Sequence, residues 1–310
     1  MANFRQPRVV YSHLEKVLKK EREKEGETIA AVFRHSFSCY FCYTLLMEKK
    51  ETDPNFEKLP KTIFKQVDID RETELVCRFM EKDRWASVFD KKYPELRKIQ
   101  KENKDAEECR KKYKEFLEGI HTRDGEVMLS AQEQMQGEWQ KIGTAFLLML
   151  SKHFETDWPH DTGEIVGSIS VLPVHPRFLD ESSFCLGYKD IADMIETSAH
   201  EILHFLWFKK WKEVFPEIER KEYESPHLVW RLSEIMDPII LQCQPAIRDL
   251  IKPKKWGYAS FENINISDVS MTDYFKEIYL QSVASGDNFE TTLRKLWRET
   301  QIHEKEISTF

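Results

Sequence analysis

Glycine and proline are scarce in this chain, with 10 Gly and 12 Pro among 310 residues. Because these two residues interrupt helices and mark turns, their scarcity argues against a loop-rich protein and predicts long helices joined by short loops. Hydrophobic residues make up 41 % of the sequence, aromatic residues 12 % and charged residues 33 %. That composition is typical of a folded globular protein, and a chain of this length can bury a core in one large or two smaller domains.

Long apolar runs and an excess of positive charge are also missing. The most apolar window, Ile29 to Met47, contains Arg34 and His35 and makes a poor membrane span. Charged residues interrupt every apolar run near the N-terminus, so no secretory leader is predicted. The net charge of −7 provides no general attraction to nucleic acid or to an anionic membrane. We therefore expect neither a nucleic-acid partner nor a membrane span.

The six cysteines are scattered, at positions 39, 42, 77, 109, 185 and 243. This spacing differs from the disulfide framework of a small secreted domain and is typical of reduced thiols, which predicts a cytoplasmic location. Cys39 and Cys42 form a Cys-x-x-Cys pair, but a zinc site of that kind needs a second pair, which the sequence lacks. We therefore predict that these two cysteines pack in a core, on a helix from Thr28 to Lys49.

The order of the predicted elements indicates an α+β fold that is predominantly α. Helices account for residues 1–125, which we predict to be a helical N-terminal region. A predicted turn at residues 121–124, followed by Gly125, marks the boundary. Residues 126–310 then form the second predicted domain, which contains a small sheet.

The clearest strand signal lies at residues 165–172. Ser168 and Ser170 alternate there with apolar residues, as expected for a half-buried strand. Pro173 and Pro176 follow, and proline cannot donate to a sheet ladder. The sequence therefore predicts that this strand lies at the edge of the small sheet.

One stretch, Thr197 to Trp207, carries the strongest chemical signal. It contains the pattern H-E-x-x-H within a segment from Asp190 to about Trp211 that has helical periodicity and no Gly or Pro. Residues four apart share a helix face, so His200 and His204 would present two imidazoles to one point, as a tetrahedral Zn²⁺ requires. Glu201 would lie beside them, where a carboxylate reaches a metal-bound water as a general base.

A catalytic zinc site needs a third protein ligand, and the helix predicted after Ser225-Pro226 offers Glu234. Its neighbours in the sequence are apolar, so its carboxylate projects from a largely buried helix. Asp237 follows three residues later on the same face, where a carboxylate can accept the free N–H of a ligand histidine. No histidine occurs between Phe205 and Phe215, which excludes a third histidine ligand shortly after the motif.

His227 is the rival third ligand, because it precedes Glu234 by seven residues on the same predicted face. It is also a candidate hydrogen-bond donor to an oxyanion, a role that Tyr223 or Tyr258 can fill as well. A surface histidine at a helix start, or a packed tyrosine ring, explains each of these residues without any chemistry. The three therefore remain secondary candidates.

H-E-x-x-H, followed by a helix that bears a glutamate and then an aspartate, resembles the gluzincin branch of the zincin-type zinc metallopeptidases. The resemblance covers about residues 165–237 and implies a zincin-like domain with one Zn²⁺ held by His200, His204 and Glu234. It further implies Glu201 as the base, Asp237 as an orienting carboxylate, and an edge strand before the motif helix along which extended substrate aligns. Two features differ: 29 residues separate His204 from Glu234, a longer step than usual, and the step to Asp237 is three residues rather than four.

The predicted function is therefore that of a zinc-dependent metallopeptidase that hydrolyses a peptide or protein substrate with a zinc-activated water and Glu201 as general base. The alternative is a metallopeptidase-like zinc-binding protein that acts as a binding or regulatory module without significant proteolysis. The intact Glu201 favours the enzyme, since a binding module does not need that carboxylate. A third interpretation, a helical interaction protein in which the motif is accidental, rests only on the charged N-terminal helices.

Overall fold

The computed structural model describes residues 58–309, apart from residues 82, 160, 189, 256 and 267. The helices predicted before residue 50, and with them Cys39 and Cys42, lie outside the described residues. The described residues all belong to one compact unit. The described part of this unit is mostly helical with a small mixed sheet, which confirms the α+β class.

Helices precede, separate and follow the strands. In chain order the described helices are α1 (Ile69–Met80), α2 (Asp83–Lys92), α3 (Pro94–Glu102), α4 (Ala106–Phe154), α5 (Ile191–Val214), α6 (Leu228–Cys243), α7 (Pro245–Ile251), α8 (Ala259–Asn263), α9 (Met271–Ala284), α10 (Phe289–Ile302) and α11 (Glu304–Ile307). The strands are β1 (Lys61–Gln66), β2 (Glu164–Ile169), β3 (Arg177–Phe178), β4 (Ser183–Leu186), β5 (Asn265–Ile266) and β6 (Val269–Ser270). Short 3₁₀ helices lie at Leu179–Glu181 and Arg220–Tyr223.

The main sheet has the strand order β1–β2–β4–β3. β1 is parallel to β2, with Lys61 opposite Glu164, and β2 is parallel to β4, whereas β3 is antiparallel to β4. Parallel neighbours need a long crossover, which α1 to α4 supply between β1 and β2. A Cβ atom at Gly167 would lie 2.6 Å from the Phe64 ring and 3.1 Å from the Phe184 ring. Glycine is therefore needed in β2 for the two rings to pack over it.

The strand predicted at residues 165–172 is β2, but its predicted position at the sheet edge is wrong. β2 ends at Ile169 and is bonded to β1 on one side and β4 on the other, so it is an interior strand. Pro173 and Pro176 lie beyond its end, in the segment that leads to β3. The edge strand near the motif helix is β3. The two prolines therefore precede the edge strand and do not show that β2 is one.

Helix α4 runs unbroken across the predicted domain boundary at Gly125. The turn predicted at residues 121–124 is helical, and that expectation is wrong. Buried residues three or four apart continue on both sides of Gly125, which keeps one face of α4 against the protein core. Glycine in a helix costs about 1 kcal/mol, a small term beside the burial of that face. These buried residues are Tyr113, Leu117, Ile120, Met128, Ala131, Met135 and Trp139.

The motif helix and its successor form as predicted, with a different start for the second. α5 begins after Asp190, whose carboxylate accepts hydrogen bonds from the N–H groups of residues 192 and 193. α6 has His227 as its N-terminal flanking residue, where the sequence favoured Ser225, and it continues through Pro238. Two further helices, α9 and α10, lie near the end of the chain, and α10 ends at Ile302, before His303.

Glu72 of α1 joins three parts of the fold. Its fully buried carboxylate accepts hydrogen bonds from the Ser170 hydroxyl at 2.5 Å and from the Val171 main-chain N–H at 2.8 Å. The second carboxylate oxygen lies 2.5 Å from Nε2 of His121 on α4. The chain immediately after β2, which leads towards the motif region, is therefore held by a buried carboxylate with several partners.

We expect Glu72→Ala to lower the free energy of unfolding by about 3 kcal/mol or more, because Ser170, Val171 and His121 lose a buried acceptor and a cavity remains. Urea unfolding followed by circular dichroism measures this loss. Glu74→Ala is the matched control on the same helix. Its carboxylate pairs with Arg110 at 3.1 Å at the surface, and removing an exposed pair changes stability by less than about 1 kcal/mol. Equal losses in the two variants would contradict the assignment.

Two further expectations concern the described residues. Among them, no helix is both long enough and apolar enough to cross a membrane. All four cysteines in this part of the chain, Cys77, Cys109, Cys185 and Cys243, are free thiols.

Candidate metal centre

The two histidines of α5 converge as the helical spacing predicts. Their Nε2 atoms lie 3.1 Å apart, and the ring planes are nearly perpendicular at 81°. The His204 side chain is fully buried, whereas 26 % of the His200 side chain is exposed. One face of α5 thus presents two ring nitrogens to a single point that solvent reaches from the His200 side.

Helix α6 packs beside α5 and brings two carboxylates to the same point. Glu234 places Oε2 3.4 Å from Nε2 of His200 and Oε1 3.5 Å from Nε2 of His204. Asp237 places Oδ1 3.2 Å from Nδ1 of His200 and Oδ2 3.7 Å from Nε2 of His204. The structure therefore brings together His200, His204, Glu234 and Asp237. Glu234 approaches both Nε2 atoms, whereas Asp237 makes its shortest contact with the other nitrogen of His200.

The separations of the three inner donors suit a tetrahedral ion. Bonds of about 2.0–2.1 Å at tetrahedral angles place neighbouring ligand atoms about 3.3 Å apart. The two Nε2 atoms are 3.1 Å apart, Oε2 of Glu234 is 3.4 Å from Nε2 of His200, and Oε1 of Glu234 is 3.5 Å from Nε2 of His204. Nδ1 of His204 is buried and has no hydrogen-bond partner among the described residues. Two imidazoles and one carboxylate are a donor set that Zn²⁺ accepts.

Glu201 lies at the rim of this donor group. Its Oε1 is 3.9 Å from Nε2 of His200, farther than either oxygen of Glu234 that contacts the histidines. His200, Glu201 and His204 each offer one ligand atom within 4.8 Å of the others, but the shorter distances favour Glu234 as the third donor. Burial raises the pKa of Glu201 to about 7, while His200 and Arg177 oppose that shift. A carboxylate with a pKa near neutrality is suited to accept and return a proton.

The buried charges of the group are strongly coupled. Burial favours neutral imidazoles, but Asp237 and Glu234 outweigh it at His200 and raise its pKa well above the ordinary value. Burial and then Arg177 lower the pKa of His204 well below it. Burial raises the pKa of Asp237 to about 6, although His200 opposes the shift. Without a metal, His200 therefore carries a proton, and an ion that binds its Nε2 has to displace that proton.

Arg177 of β3 is a site residue that the sequence analysis missed. Its side chain is 8 % exposed, and its Nη1 donates to Oε1 of Glu234 at 3.1 Å and lies 3.8 Å from Oε2 of Glu201. The guanidinium also lies over the Phe208 ring, 5.1 Å from its centroid. An isolated arginine between Pro176 and an aromatic residue has no periodicity or partner spacing, so nothing in the sequence marks it.

The structure separates the three secondary candidates from one another. His227 lies at the start of α6, two turns from Glu234, and its Nδ1 pairs with Glu222 at 3.1 Å. Tyr223 is buried with its ring stacked on Phe208 at 4.8 Å, behind the wall of the site. Tyr258 is the one of these three that lines the same cleft as His200 and Glu201.

The candidate centre opens into a cleft of about 500 Å³. His200, Glu201, Glu234 and Asp237 line one part of it, together with the chain from Pro173 to Phe178. Aromatic side chains supply much of the remaining wall, namely Phe79, Trp85, Phe178, Trp230 and Tyr258. A polar, charged floor beside apolar walls is the usual form of a site that binds a partly apolar ligand.

Comparison of the chain with protein-family models, with curated proteins and with solved structures found no match. What the site can do is therefore argued from its own residues.

Proposed function

We propose that this protein is a zinc-dependent metallopeptidase of the gluzincin type. One observation supports the proposal above the others: Nε2 of His200, Nε2 of His204 and the Glu234 carboxylate converge with separations of 3.1–3.5 Å. Separations in this range are close to those between neighbouring ligand atoms of a tetrahedral Zn²⁺, although each histidine nitrogen is approached by a different oxygen of Glu234. An ion held by these residues would be open to the cleft, because His200 and Glu234 lie in its wall.

In this proposal His200, His204 and Glu234 hold Zn²⁺, which would polarise the scissile carbonyl and activate water. Oδ1 of Asp237 lies 3.2 Å from Nδ1 of His200, a position from which its charge favours the tautomer that leaves Nε2 free to bind the ion. Glu201 accepts a proton from the attacking water and passes it to the leaving amine. Its burial and its raised pKa of about 7 support that role, since the group can hold and release a proton near neutrality.

The cleft supports a peptide as the substrate class. The edge strand β3 and the preceding segment lie in its wall, and an edge strand offers main-chain groups to an extended peptide. Its aromatic walls suit an apolar side chain next to the scissile bond.

The deciding experiment measures zinc content and hydrolysis together. Purified protein is expected to contain about one zinc per chain by elemental analysis and to cleave members of a peptide library. A chelator should abolish cleavage, and added zinc should restore it. Zinc without cleavage would favour the binding or regulatory module instead. A protein that neither contains nor takes up zinc would contradict the proposal and leave the motif accidental.

Asp237→Asn is expected to weaken zinc binding about 10–100-fold, because it removes the carboxylate that orients His200 while all three ligands stay. Competition with a chelator of known affinity measures the change. Asp193→Asn is the matched control on α5, since Asp193 pairs with Lys255 at the surface at 3.2 Å. An affinity that is unaltered in Asp237→Asn would show that the 3.2 Å contact with His200 has no orienting role.

A further inference from the structure

The guanidinium of Arg177 has one edge in use and one edge free. Its Nη1 donates to Glu234 at 3.1 Å, whereas Nε and Nη2 are buried and have no hydrogen-bond partner among the described residues. Nε and Nη2 lie on the same edge of the planar group and form the fork that pairs with a carboxylate through two parallel bonds. Arg123 with Asp124, and Arg248 with Asp249, pair through this same edge elsewhere in the fold.

A buried arginine with two unused donors is costly, because each N–H has left water without gaining an acceptor. Arg177 lies in the wall of the cleft, and its ring contact with Phe208 at 5.1 Å helps to hold the plane of the guanidinium. Asp237 and Glu201 also lack hydrogen-bond partners at buried carboxylate oxygens, but those are acceptors and repel an anion. The unpaired Nε and Nη2 donors of Arg177 are thus the feature of the candidate centre that attracts an anion.

The position of the fork relative to the reacting groups limits what the anion can be. An oxygen bound at Nη2 lies within about 5 Å of Nη1, and Nη1 is itself 3.8 Å from Oε2 of Glu201. Extended chain advances about 3.3–3.6 Å per residue. The bound anion therefore lies within about two residues of a peptide bond that Glu201 serves. Every unblocked peptide has one carboxylate at a fixed place, its carboxyl terminus.

We propose that Arg177 is a specificity-determining residue that binds the carboxy-terminal carboxylate of a peptide, so that the protein acts as a carboxypeptidase. The reaction adds one water across the last peptide bond, breaks its C–N bond and releases one amino acid. This inference rests on the proposed function for the chemistry, but the binding of the carboxylate does not need zinc. The substrate carboxylate supplies the acceptor that the Nε–Nη2 edge lacks.

The inference is tested by measuring how three small probes bind to the metal-free protein, with ligand-observed NMR titration as the method. The probes are N-acetylphenylalanine, its amide, and N-acetylaspartic acid α-amide, which carries only a side-chain carboxylate. We expect the first probe to bind at least tenfold more tightly than its amide, and more tightly than the aspartate derivative. Equal binding of the acid and the amide would overturn the inference. Stronger binding of the aspartate derivative would overturn it in favour of acidic side chains.

Variants assign the preference to Arg177. Arg177→Gln should bind acid and amide equally, and Arg177→Lys should retain only part of the preference, because an ammonium group lacks the planar fork. Affinity for the amide reports whether each variant is folded, and the wild-type comparison stands without any variant. Arg78→Gln tests the other arginine in the cleft wall and should keep the full preference. A preference that survives Arg177→Gln, or is lost in Arg78→Gln, would refute the assignment.

With zinc added, mass spectrometry of a free-acid peptide should reveal loss of single carboxy-terminal residues, and the amidated peptide should stay intact. Cleavage of both peptides at internal bonds would refute the inference while leaving the proposed peptidase function standing. Carboxylate preference without any hydrolysis would refute the proposed peptidase function while leaving the carboxylate-binding role of Arg177 standing. The two failures are therefore distinguishable.

Discussion

Glu201→Gln is expected to reduce peptide hydrolysis about 10²–10⁴-fold while the protein keeps its zinc. The amide has almost the size of the carboxylate, but it cannot accept a proton from water. Glu201 is also farther from His200 than Glu234 is, at 3.9 Å against 3.4 Å, so its loss leaves the inner donors in place. The turnover number with a peptide substrate and the zinc content by elemental analysis together check this result.

Glu213→Gln serves as the control for that variant. It lies near the end of the same helix and pairs with Lys209 at 2.6 Å, outside the cleft. Its activity and zinc content should equal those of the wild type. A Glu201→Gln protein that retained both zinc and peptidase activity would exclude Glu201 as the base.

Glu234→Gln is expected to have the opposite phenotype: it should lose zinc, with a fall in affinity on the order of 10³-fold, because one of three protein ligands is replaced by a weak one. His227→Ala should keep a full complement of zinc, since His227 pairs with Glu222 two turns away. Zinc titration against a chelator measures both. The same Glu→Gln change at positions 201 and 234 thus separates the base from the ligand.

Stability has to be followed beside zinc in this experiment, because Glu234 is also the counter-ion of Arg177 at 3.1 Å. Leaving a buried arginine without that partner costs stability even if no metal is involved. Thermal unfolding of metal-free Glu234→Gln measures this cost separately. Loss of zinc in His227→Ala with retention in Glu234→Gln would assign the third ligand to His227 instead.

Charge balance explains why one small volume holds so many ionisable groups. Glu201, Glu234 and Asp237 face Arg177 and a protonated His200 in the metal-free protein. Each of these charges stabilises the ionised form of its oppositely charged neighbours. Without such neighbours, burial would favour the neutral forms. A divalent cation that displaces the His200 proton would leave this centre more positive, which favours an anionic ligand at Arg177.

Local pattern was sufficient for part of the fold and of the candidate site. The segment predicted from residue 190 to about 211 is α5, and the approach of His200 to His204 follows from the four-residue repeat of the helix itself. Each of these features depends on neighbours within a few residues, and that information is contained in the order of the side chains.

Tertiary packing decided the rest. The packing of α6 against α5 brings Glu234, and not His227, close to the two histidines, whereas the sequence alone left both open as third ligand. The interior place of β2 depends on pairing with β1, about 100 residues earlier, and the unbroken α4 depends on burial of a face that continues past Gly125. Arg177 joins the site only because β3 pairs with β4 beside it. The sequence by itself thus determined the motif helix and the approach of its two histidines, because those features are local. The partners of that motif come from distant segments, and only the packed structure brings them together.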